Sequence, residues 1–486
     1  MKLQALLQNV EVLELHADPE TEIGHVAYDS RRVEKGGLFV AVSGFTSDGN
    51  RFIPMAMEKG ASVVVTAKAP QEEVPYVLVA SDRLALANIA CNFYGNPAKS
   101  MTLIGITGTN GKTSVTLLLK TVLEKTRNAK VGLVGTMGNL IGSEAIPSSR
   151  TTPESLELQA LFARMRDAGC QHAVMEVSSH AIALDRIGGL HYDVAAFTNL
   201  TEDHLDFHKT MEAYRDTKAE LFTRCSRAVI NMDDPYGEAM LQKAACPVLT
   251  VSVHGAGELR AADIALHAQG VEFTAVCGEE KVSVQVPIPG RFTVYNALTA
   301  LGIARQLGIS LSESARALRT VSGVKGRIEV VPTPDMPYTV LIDYAHTPDG
   351  LEKVLLSVRD FCKGRLIAVF GCGGDRDPMK RPIMGQIGVK NADFAIITSD
   401  NPRTEAPMAI IEDILKGVEP SMGAYTVIED RRKAIRYAMD IGKKDDIIVL
   451  AGKGHETYQE INGHKYHLDE REEVQSYLSE LRKTHE

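Results

Sequence analysis

The sequence predicts an α/β protein of three domains, and three observations support this fold class. At 486 residues, the chain is long enough for about three domains. A glycine-rich segment at 105–114 stands between a predicted strand and a predicted helix, which is typical of a nucleotide-binding parallel sheet. Beyond residue 328, apolar runs alternate with helical patterns, and this alternation favours a doubly wound, mainly parallel sheet.

Residues 1–98 form the first predicted domain, a small α/β unit. Helical patterns at 51–60 and 82–94 alternate with short strand candidates, and the turn Gly95-Asn96-Pro97 ends the domain. The predicted strands are 26–28, 38–42, 62–65 and 76–79.

The second predicted domain, residues 99–327, has a central parallel sheet like that of P-loop ATPases. Apolar residues recur at helical spacing after the glycine-rich segment, which predicts a strand, a tight loop and a helix in succession. Further strands are predicted at 173–177, 194–198 and 228–231, and a β-hairpin is predicted at 270–277 and 281–286.

The segment at 105–114 has the properties of a phosphate-binding loop. Glycines let backbone N–H groups approach phosphate oxygens, and a helix N-terminus favours negative charge. Lys112 is expected to contact the terminal phosphates of ATP, and the Thr113 hydroxyl to bind Mg²⁺. Ile106 stands where the usual motif has its first glycine, so the alternative is a turn with an incidental lysine. The expected ATP-binding residues here are Gly108, Thr109, Asn110, Gly111, Lys112, Thr113 and Ser114.

Bulk composition indicates a globular protein. The 62 acidic and 53 basic residues give a net charge of −9, which argues against nucleic-acid binding because that function usually needs a basic face. Seven cysteines without a CxxC pair argue against a disulfide framework and a zinc site, and favour a reducing cytosol. We find no signal-peptide pattern and no apolar stretch of about 18 residues. We therefore expect a cytoplasmic protein without a membrane span.

The third predicted domain, residues 328–486, is Rossmann-like and carries polar or glycine-rich segments after its strands. Ligands bind at the carboxyl ends of strands in such sheets, so these segments predict a ligand site. The predicted strands are 340–343, 366–371, 394–399, 426–428 and 447–451, and the segments that follow them are 343–346, 371–377, 400–403 and 452–456.

Glu176 and His204 each follow a predicted strand of the second domain. A carboxylate beside a phosphate loop could hold Mg²⁺, and this ion prefers oxygen ligands. Glu176 is therefore a better candidate ligand than His204, whose alternative is a structural role at the start of a helix.

Ten motifs span nearly the whole chain in the order found in the Mur ligases. They read TGTNGKT, MEVSSHA, NLTEDHLDFH, AYRDTKAELF, GRFTVYNALTA, GRIEVV, IDYAHTPDGLE, GCGGDRD, DNPRTE and GKGHE. The chain is therefore similar to the Mur ligases, which join an amine to a carboxylate through an acyl phosphate. Its glycine-rich loop also resembles that of folylpolyglutamate synthases, which lack the DNPR motif and this first domain. The resemblance implies a UDP-sugar-binding first domain, an ATP-binding second domain and an amino-acid-binding third domain.

The resemblance also implies roles for single residues near the phosphate loop. Lys218 matches a lysine that the family carbamylates, and a carbamate would turn a cation into an oxygen ligand for a metal. Without the resemblance, Lys218 is a solvated helix lysine and Asn296 a polar helix cap. The implied catalytic residues are Lys112, Lys218, Glu176 and His204, the implied metal ligands are Thr113, Glu176, His204 and carbamylated Lys218, and the further ATP contacts are Asn296, Arg327 and Asp343.

Contacts to a UDP-sugar and its peptide are implied in the same way. Ser30 and the stretch 44–49 match the family's UDP contacts, and the alternative is an Asp-Ser helix cap followed by a glycine turn. An arginine suits an anionic peptide because guanidinium pairs bidentately with carboxylate. The chain has Arg150 and Leu184 where relatives often have Asn and Gln. The implied contacts to sugar and peptide are Thr151, Thr152, Ser178 and Arg186.

The segment 400–403 resembles the DNPR signature of relatives that add meso-diaminopimelate rather than lysine. Diaminopimelate has a second carboxylate, and Arg403 would pair with it while repelling the side-chain ammonium of lysine. Glu456 is expected to bind the distal ammonium and Arg376 a carboxylate. The alternative for Arg403 is a surface arginine after a proline turn. The whole implied pocket comprises Arg376, Asp400, Asn401, Pro402, Arg403, Gly452 and Glu456.

The resemblance therefore implies an ATP-dependent ligase that adds meso-2,6-diaminopimelate to UDP-N-acetylmuramoyl-L-alanyl-D-glutamate in peptidoglycan precursor synthesis. Its expected ligands are ATP, Mg²⁺ and these two substrates, and we expect a monomer. Two alternatives stay open: a lysine-adding form, discriminated by Arg403, and a nucleotide-binding switch protein, which would need no amino-acid pocket. Cys372 is expected to be structural, because the reaction needs no side-chain nucleophile.

Overall fold

The computed structural model describes residues 1–44, 48–148, 150–255, 257–321, 323, 325–419 and 421–485. The chain divides into two compact units. The first unit consists of Met1–Arg260, Cys277–Glu279 and Leu298–Ala317, and the second of Ala261–Val276, Glu280–Ala297 and Leu318–Glu486. The predicted domain boundaries near residues 98 and 327 stay predictions.

The N-terminal part of the first unit is a sheet flanked by helices. Its strands are β1 (Val12–His16), β2 (His25–Ala27), β3 (Gly37–Val40), β4 (Ala61–Thr66) and β5 (Tyr76–Val79), and its helices are α1 (Leu3–Leu6), α2 (Ile53–Glu58) and α3 (Asp82–Phe93). The strand order is β1-β5-β4-β3-β2. The four predicted strands are confirmed with small differences at their ends, and they run parallel. β1 was not predicted, although Val12, Leu13 and Leu15 are apolar, and all five of its residues are exposed.

The rest of the first unit is built on a second sheet. Its strands are β6 (Thr102–Thr107), β7 (Val131–Gly135), β8 (Gly138–Ile141), β9 (Glu144–Ile146), β10 (His172–Glu176), β11 (Val194–Phe197), β12 (Ala228–Asn231) and β13 (Val248–Ser252). Its helices are α4 (Lys112–Arg127), α5 (Ser155–Asp167), α6 (Ser179–Ala183), α7 (Leu205–His208), α8 (Met211–Ala219) and α9 (Gly237–Lys243). The order β13-β12-β11-β6-β10-β7-β8-β9 places β6 between β10 and β11.

This strand order decides where the phosphate loop lies. β6, β10 and β11 run parallel, with Ile106 opposite Glu176 and Thr107 opposite Phe197. The carboxyl ends of parallel strands meet at one edge of a sheet. The loop after β6 therefore lies next to the polar segments that follow β10 and β11.

Residues 259–318 belong partly to each unit. Their elements are β14 (Leu259–His267), β15 (Gly270–Cys277), β16 (Glu280–Val286), α10 (Arg291–Gln306) and α11 (Leu311–Leu318). β15 and β16 confirm the predicted hairpin. The interpretation of Asn296 as a helix cap is wrong: the helix begins at Arg291, so Asn296 lies within it and is buried.

The second unit contains a doubly wound sheet. Its strands are β17 (Glu329–Val331), β18 (Thr339–Asp343), β19 (Leu366–Phe370), β20 (Phe394–Ile397), β21 (Ala424–Val427) and β22 (Ile447–Ala451), followed by a hairpin of β23 (Tyr458–Ile461) and β24 (His464–His467). The helices are α12 (Pro348–Arg359), α13 (Lys380–Asn391), α14 (Pro407–Leu415), α15 (Arg431–Asp440) and α16 (Glu470–His485). The sheet order is β17-β18-β22-β19-β20-β21, parallel except for β17.

Burial explains which of these strands the sequence predicted. β18, β19 and β22 are buried along their whole length, as expected for parallel strands covered on both faces. Their continuous apolar runs were predicted. The residues of β24 are all exposed, and the β23–β24 hairpin was not predicted. No helix in the described ranges is long and apolar enough to cross a membrane.

Candidate active site

The phosphate loop is tied to the end of β11. Thr198 Oγ1 donates to the Asn110 carbonyl at 2.6 Å. The Thr109 N–H donates to the Asn199 carbonyl at 2.8 Å, and the Asn110 N–H donates to Asn199 Oδ1 at 2.9 Å. A Cβ on Gly108 would lie 1.9 Å from Thr198 Oγ1, and its φ is +147°. Only glycine fits there, so the loop has one defined shape.

The helix after the loop begins at Lys112, which points back over the loop. Its Nζ donates to the carbonyls of Gly108 and Thr109 at 2.8 and 2.9 Å. Burial lowers the pKa of Lys112, and the Glu176 carboxylate opposes that shift. Thr113 and Ser114 form the first turn of α4, which places an amide-rich helix N-terminus beside a lysine ammonium.

Lys218 lies on α8 and is only 1% exposed. Its Nζ donates to the Gly108 carbonyl at 3.0 Å and lies 4.6 Å from the centre of the Tyr214 ring. Burial, and then repulsion from Lys112, hold the pKa of Lys218 well below its usual value. The interpretation of Lys218 as a solvated helix lysine is therefore wrong. The helical pattern places it correctly on a helix, but it does not reveal that this face packs on the phosphate loop.

Glu176 ends β10 and is 1% exposed. Its Oε1 accepts hydrogen bonds from Thr113 Oγ1 at 2.9 Å and from the Thr136 N–H at 3.0 Å, and its Oε2 accepts one from Thr136 Oγ1 at 3.0 Å. A Cβ on Gly135 would lie 2.3 Å from Oε1, so glycine makes room for the carboxylate. Thr136 was not predicted as a site residue, and its position two residues before a glycine carries no clear motif.

His204 stands at the start of α7, as its structural alternative predicted, with a φ of +54°. Its side chain is 45% exposed, and its ring centre lies 4.8 Å from that of His180. Among the residues that the structure describes, no group of three or more His, Cys, Asp and Glu side chains is arranged to hold a metal ion. A role of His204 as a metal ligand stays a prediction.

The segment around Thr151 and Thr152 is hydrogen-bonded to the main chain of Glu176 and, through Thr136, to its carboxylate. Thr151 Oγ1 lies 3.0 Å from Thr136 Oγ1. Thr152 Oγ1 donates to the Glu176 carbonyl at 2.8 Å and lies 3.3 Å from Ser178 Oγ. A continuous hydrogen-bonded path therefore runs from the phosphate loop at Thr113 to the predicted peptide contact at Thr151. These residues come from a helix, a strand and two loops that are well separated in sequence, so the path could not be predicted from spacing.

Three arginines surround one carboxylate next to this segment. Glu154 lies 2.9 Å from Arg150, 3.0 Å from Arg186 and 3.6 Å from Arg83. Arg186 also donates from Nη1 to the Thr152 carbonyl at 3.2 Å. The excess of positive charge suits an anionic ligand. Arg150, one of the two departures from the family pattern, belongs to this group, whereas Arg83 comes from the N-terminal sheet domain and was not predicted.

Ser30 lies in a 3-10 helix, Ser30–Arg32, and the side chain of the N-cap residue Asp29 accepts the Arg31 N–H. The cap that the sequence offered as an alternative is therefore present, and Ser30 Oγ donates to Met55 Sδ at 3.3 Å. A role in UDP binding stays a prediction. Within the predicted UDP contact at 44–49, residues 45–47 lie outside the described residues.

Asn296, Arg327 and Asp343 belong to the second unit. The Asp343 carboxylate accepts the N–H groups of Ile328 at 2.8 Å and Ala345 at 2.9 Å. Burial raises the pKa of Asp343, and these bonds and Arg327 oppose the shift. The guanidinium of Arg327 lies 5.7 Å from the Tyr344 ring centre. Asp343 thus holds the turn that carries Arg327, and their contacts to ATP stay predictions.

Two predicted loops of the second unit are linked to each other. The Gly374 N–H donates to the Asn401 carbonyl at 2.9 Å, and Arg403 Nη1 donates to the Gly374 carbonyl at 2.7 Å. Thr404 Oγ1 donates to Asp375 Oδ1 at 2.6 Å. A Cβ on Gly374 would lie 2.0 Å from the Pro402 carbonyl oxygen, so glycine permits this approach. These links bring exposed Arg376 and half-buried Arg403 to the same end of the sheet.

Glu456 is held by two partners. Its Oε2 accepts hydrogen bonds from Asn401 Nδ2 at 2.9 Å and from Lys453 Nζ at 3.3 Å, while Lys453 also donates to Asn401 Oδ1 at 3.0 Å. Lys453 is 0% exposed. It was not predicted as a site residue, although it belongs to the GKGHE motif. The three side chains form a closed triangle that fixes Glu456.

Asp400 and Gly452 are buried next to each other. Asp400 Oδ1 accepts the Asn401 N–H at 2.8 Å, and Oδ2 lies 3.9 Å from Arg431 Nη1. A Cβ on Gly452 would lie 2.7 Å from Asp400 Oδ2, and its φ is +117°. Arg431 and Glu470, both fully buried, form an ion pair of 2.8 Å beneath them. The Asp400 side chain therefore supports the segment 400–403 and limits position 452 to glycine.

Cys372 follows β19 and is buried, with its thiol 3.5 Å from Met384 Sδ. Burial raises the pKa of Cys372 to about 12, so the thiol stays protonated and unreactive at neutral pH. This supports the expected structural role.

Family models match three parts of the chain. Residues 22–94 match "Mur ligase family, catalytic domain", residues 106–304 match "Mur ligase middle domain", and residues 326–454 match "Mur ligase, glutamate ligase domain". Two curated relatives are named UDP-N-acetylmuramoyl-L-alanyl-D-glutamate--2,6-diaminopimelate ligase. The one from Clostridium tetani is 47% identical, and the one from Caldanaerobacter subterraneus subsp. tengcongensis is 48% identical; each alignment covers 99% of this chain and 100% of the relative.

The chain belongs to the Mur ligase family. A solved structure of a protein with the same name as these relatives has a TM-score of 0.81 to this Mur ligase at 32% identity, and the alignment covers 99% of both chains. The predicted fold class is confirmed: the protein has the three-domain α/β architecture of the family.

Proposed function

We propose that this Mur ligase adds meso-2,6-diaminopimelate to UDP-N-acetylmuramoyl-L-alanyl-D-glutamate, with conversion of ATP to ADP and phosphate. This is a cytoplasmic step of peptidoglycan precursor synthesis, and we expect the enzyme to act as a monomer. The full-length similarity to relatives that carry the name of this reaction supports the proposal. The geometry of the site supports the ATP-dependent ligation.

The observation that carries the proposal is the path from Thr113 through Glu176 and Thr136 to Thr151. It connects a phosphate-binding loop to the segment that contains Glu154, around which Arg83, Arg150 and Arg186 are grouped. A site that holds ATP phosphates next to an anionic peptide brings a carboxylate to the γ-phosphate. This is the arrangement that acyl phosphate formation requires, because positioning the reactants supplies much of the catalysis.

The reaction has two balanced steps. A γ-carboxylate oxygen of D-glutamate attacks the γ-phosphorus, and the bond to ADP breaks. The amine of diaminopimelate then attacks the acyl carbon, loses a proton and displaces phosphate. The ammonium of Lys112 and the N-terminal amides of α4 stabilise negative charge that spreads over the transferred phosphoryl oxygens.

The donor set beside the loop fits Mg²⁺. The Thr113 hydroxyl and the Glu176 carboxylate are hard oxygen ligands 2.9 Å apart, and both would hold the ion, which supplies positive charge against the ATP phosphates. His204 is a weaker match, since Mg²⁺ prefers oxygen. Lys218 fits carbamylation: its lowered pKa favours the neutral amine, which is the form that adds to CO₂ with loss of a proton. The carbamate would then add oxygen ligands at a buried position.

The amino-acid pocket accounts for the choice of amine. Arg403 and Arg376 are cations suited to the two carboxylates of diaminopimelate, and Glu456 is a carboxylate suited to its distal ammonium. Lysine has one carboxylate fewer, so it would leave one of the two arginines without a substrate carboxylate to bind. The proposed contacts at Asp400, Asn401, Pro402 and Gly452 shape the loop that presents these side chains.

The test measures phosphate release with ATP, Mg²⁺ and UDP-N-acetylmuramoyl-L-alanyl-D-glutamate, with meso-diaminopimelate or L-lysine added in parallel. We expect release with diaminopimelate and a kcat/KM for lysine that is about 10- to 150-fold lower, because lysine lacks the carboxylate that would bind Arg403 and a hydrogen bond to a charged group contributes about 1.5–3 kcal/mol. Release with lysine alone would keep the ligase and refute the role of Arg403. No release with either amine would refute the ligase and favour a nucleotide-dependent switch.

A further inference from the structure

The main chain of Arg403 is hydrogen-bonded to the β23–β24 hairpin, which the sequence did not predict. Its N–H donates to the Glu460 carbonyl at 3.0 Å, and its own carbonyl accepts the Asn462 N–H at 2.7 Å. Its backbone has a φ of +51°, an unusual conformation for a residue with a side chain. These bonds hold the main chain of Arg403 against the β23–β24 hairpin. They therefore fix the point from which its side chain extends.

The guanidinium is already partly engaged. Nη1 donates to the Gly374 carbonyl at 2.7 Å, and Nε lies 3.3 Å from Glu460 Oε2. A carboxylate can bind an arginine side-on, at Nε and Nη2, or end-on, at Nη1 and Nη2. The Glu460 carboxylate lies beside Nε, one of the two donors of the side-on edge. A substrate carboxylate has to bind end-on or displace Glu460.

Glu460 has Arg403 as its ion-pair partner in the described part of the chain. Its cross-strand neighbour Lys465 does not compete, since its ammonium lies over the Tyr458 ring, 4.0 Å from the ring centre. The side chains of Arg403 and Glu460 are 22% and 27% exposed, so water screens the pair only in part. The charge of Arg403 is thus largely balanced within the protein itself.

We propose that Glu460 is a specificity-determining residue that competes with the distal carboxylate of the amino-acid substrate for Arg403. This inference rests on the proposed function. A second carboxylate entering the pocket meets both the attraction of Arg403 and the repulsion of Glu460. A side-chain ammonium, such as that of lysine, meets the opposite combination. The charge of Glu460 therefore weakens diaminopimelate binding and narrows the preference for diaminopimelate over lysine.

The test is the steady-state kinetics of Glu460→Gln with each amine. Glutamine keeps the size and the backbone hydrogen bonds of β23 but removes the charge. We expect the KM for meso-diaminopimelate to fall about two- to fivefold, as for loss of a partly exposed ion pair, with kcat unchanged. The kcat/KM for L-lysine stays the same or falls. A damaged pocket would raise KM, so a fall in KM separates the charge effect from a structural one.

Two further variants complete the experiment. Glu472→Gln removes an equal charge from the neighbouring α16, where Glu472 pairs with exposed His467, and it should leave both KM values unchanged. In the Arg403→Ala background, Glu460→Gln should no longer lower the KM for diaminopimelate. An unchanged or raised KM in Glu460→Gln, or a fall that persists without Arg403, overturns the inference. Wild-type protein without diaminopimelate-dependent phosphate release would instead refute the proposed function.

Discussion

Lys112 and Lys218 donate hydrogen bonds to the same carbonyl oxygen, that of Gly108. Lys218 is buried and Lys112 is half-buried, and burial lowers the pKa of each. Two neighbouring ammonium groups in such a place repel each other. The repulsion is relieved if one amine loses its proton, and it becomes an attraction if that amine carries a carbamate. Of the two lysines, Lys218 is the better candidate for carbamylation, because the Glu176 carboxylate stabilises the charged form of Lys112.

At the residue scale we predict that Lys218→Ala lowers kcat about 10- to 100-fold, the usual range for loss of a group that supports a metal site. Formate or acetate should restore part of the activity by placing a carboxylate in the space left by the side chain. The measurement is phosphate release at increasing concentrations of each anion. Wild-type protein should also lose activity when CO₂ is removed from the buffer.

Lys209→Ala serves as the matched control, because Lys209 is an exposed lysine nine residues earlier. It should keep full activity, with or without added anions. Full activity of Lys218→Ala without rescue would remove any metal-bridging role of this side chain and would leave Lys218 as a structural residue that supports the loop.

At the scale of elements, the proposed amino-acid pocket depends on contacts between loops rather than on single strands. The loop after β19 and the loop after β20 touch through main-chain atoms of Gly374, Asn401 and Pro402. The hairpin of β23 and β24 then holds the second loop at Arg403. The conformation of each loop therefore depends on the others. A change in one loop should alter the positions of the charged side chains Arg376, Arg403 and Glu456.

We predict that Gly374→Ala raises the KM for meso-diaminopimelate at least about tenfold. The new Cβ would lie 2.0 Å from a main-chain oxygen, which forces the loops apart and costs about 1–3 kcal/mol of stability. The KM for UDP-N-acetylmuramoyl-L-alanyl-D-glutamate should stay unchanged, since its proposed contacts belong to the first unit. Both values come from the same phosphate-release assay.

Gly24→Ala is the control for this substitution, because nothing lies within 4 Å of the position that its Cβ would take. It should leave both KM values and the unfolding temperature unchanged. A Gly374→Ala protein with normal KM values would show that the loops can separate without altering the pocket, against the proposed coupling.

At the scale of the whole molecule, the proposed substrate contacts fall into two units with separate cores. The core of the sheet around β6 and β10 consists of residues from the first unit, and the two clusters on either side of the β18–β22 sheet consist of residues from the second. The proposed contacts of the UDP-linked substrate lie in the first unit and those of the amino acid in the second.

We predict that ligand protection against amide hydrogen exchange follows this division. UDP-N-acetylmuramoyl-L-alanyl-D-glutamate should slow exchange at 150–152 and 178–186, and meso-diaminopimelate should slow it at 371–377 and 400–404. At 100 times the Kd, exchange that requires the ligand to leave slows about 100-fold. Glycine at the same concentration is the control and should protect neither set. Protection of 150–152 by diaminopimelate, with no effect at 400–404, would contradict the assigned pocket.

Sequence patterns alone predicted the alternation of strands and helices, the phosphate loop and most buried strands, because these features depend on local spacing. Continuous apolar runs mark β18, β19 and β22, and glycines mark the loop at 108–111. The ordered motifs further predicted the family, which the comparisons confirm. The strands β1 and β24, whose residues are all exposed, were not predicted. β24 has no apolar pattern, whereas β1 has three apolar residues that are exposed rather than packed into a core.

Tertiary structure alone decided which side chains meet. The burial of Lys218, the link from Glu176 through Thr136 to Thr151, the triangle around Lys453 and the pairing of Arg403 with Glu460 each join residues from separate strands or loops. Sequence spacing reports which face of an element a residue occupies, but not which other element covers that face. Strand order determines this, because it sets which loops lie side by side at the edge of the sheet.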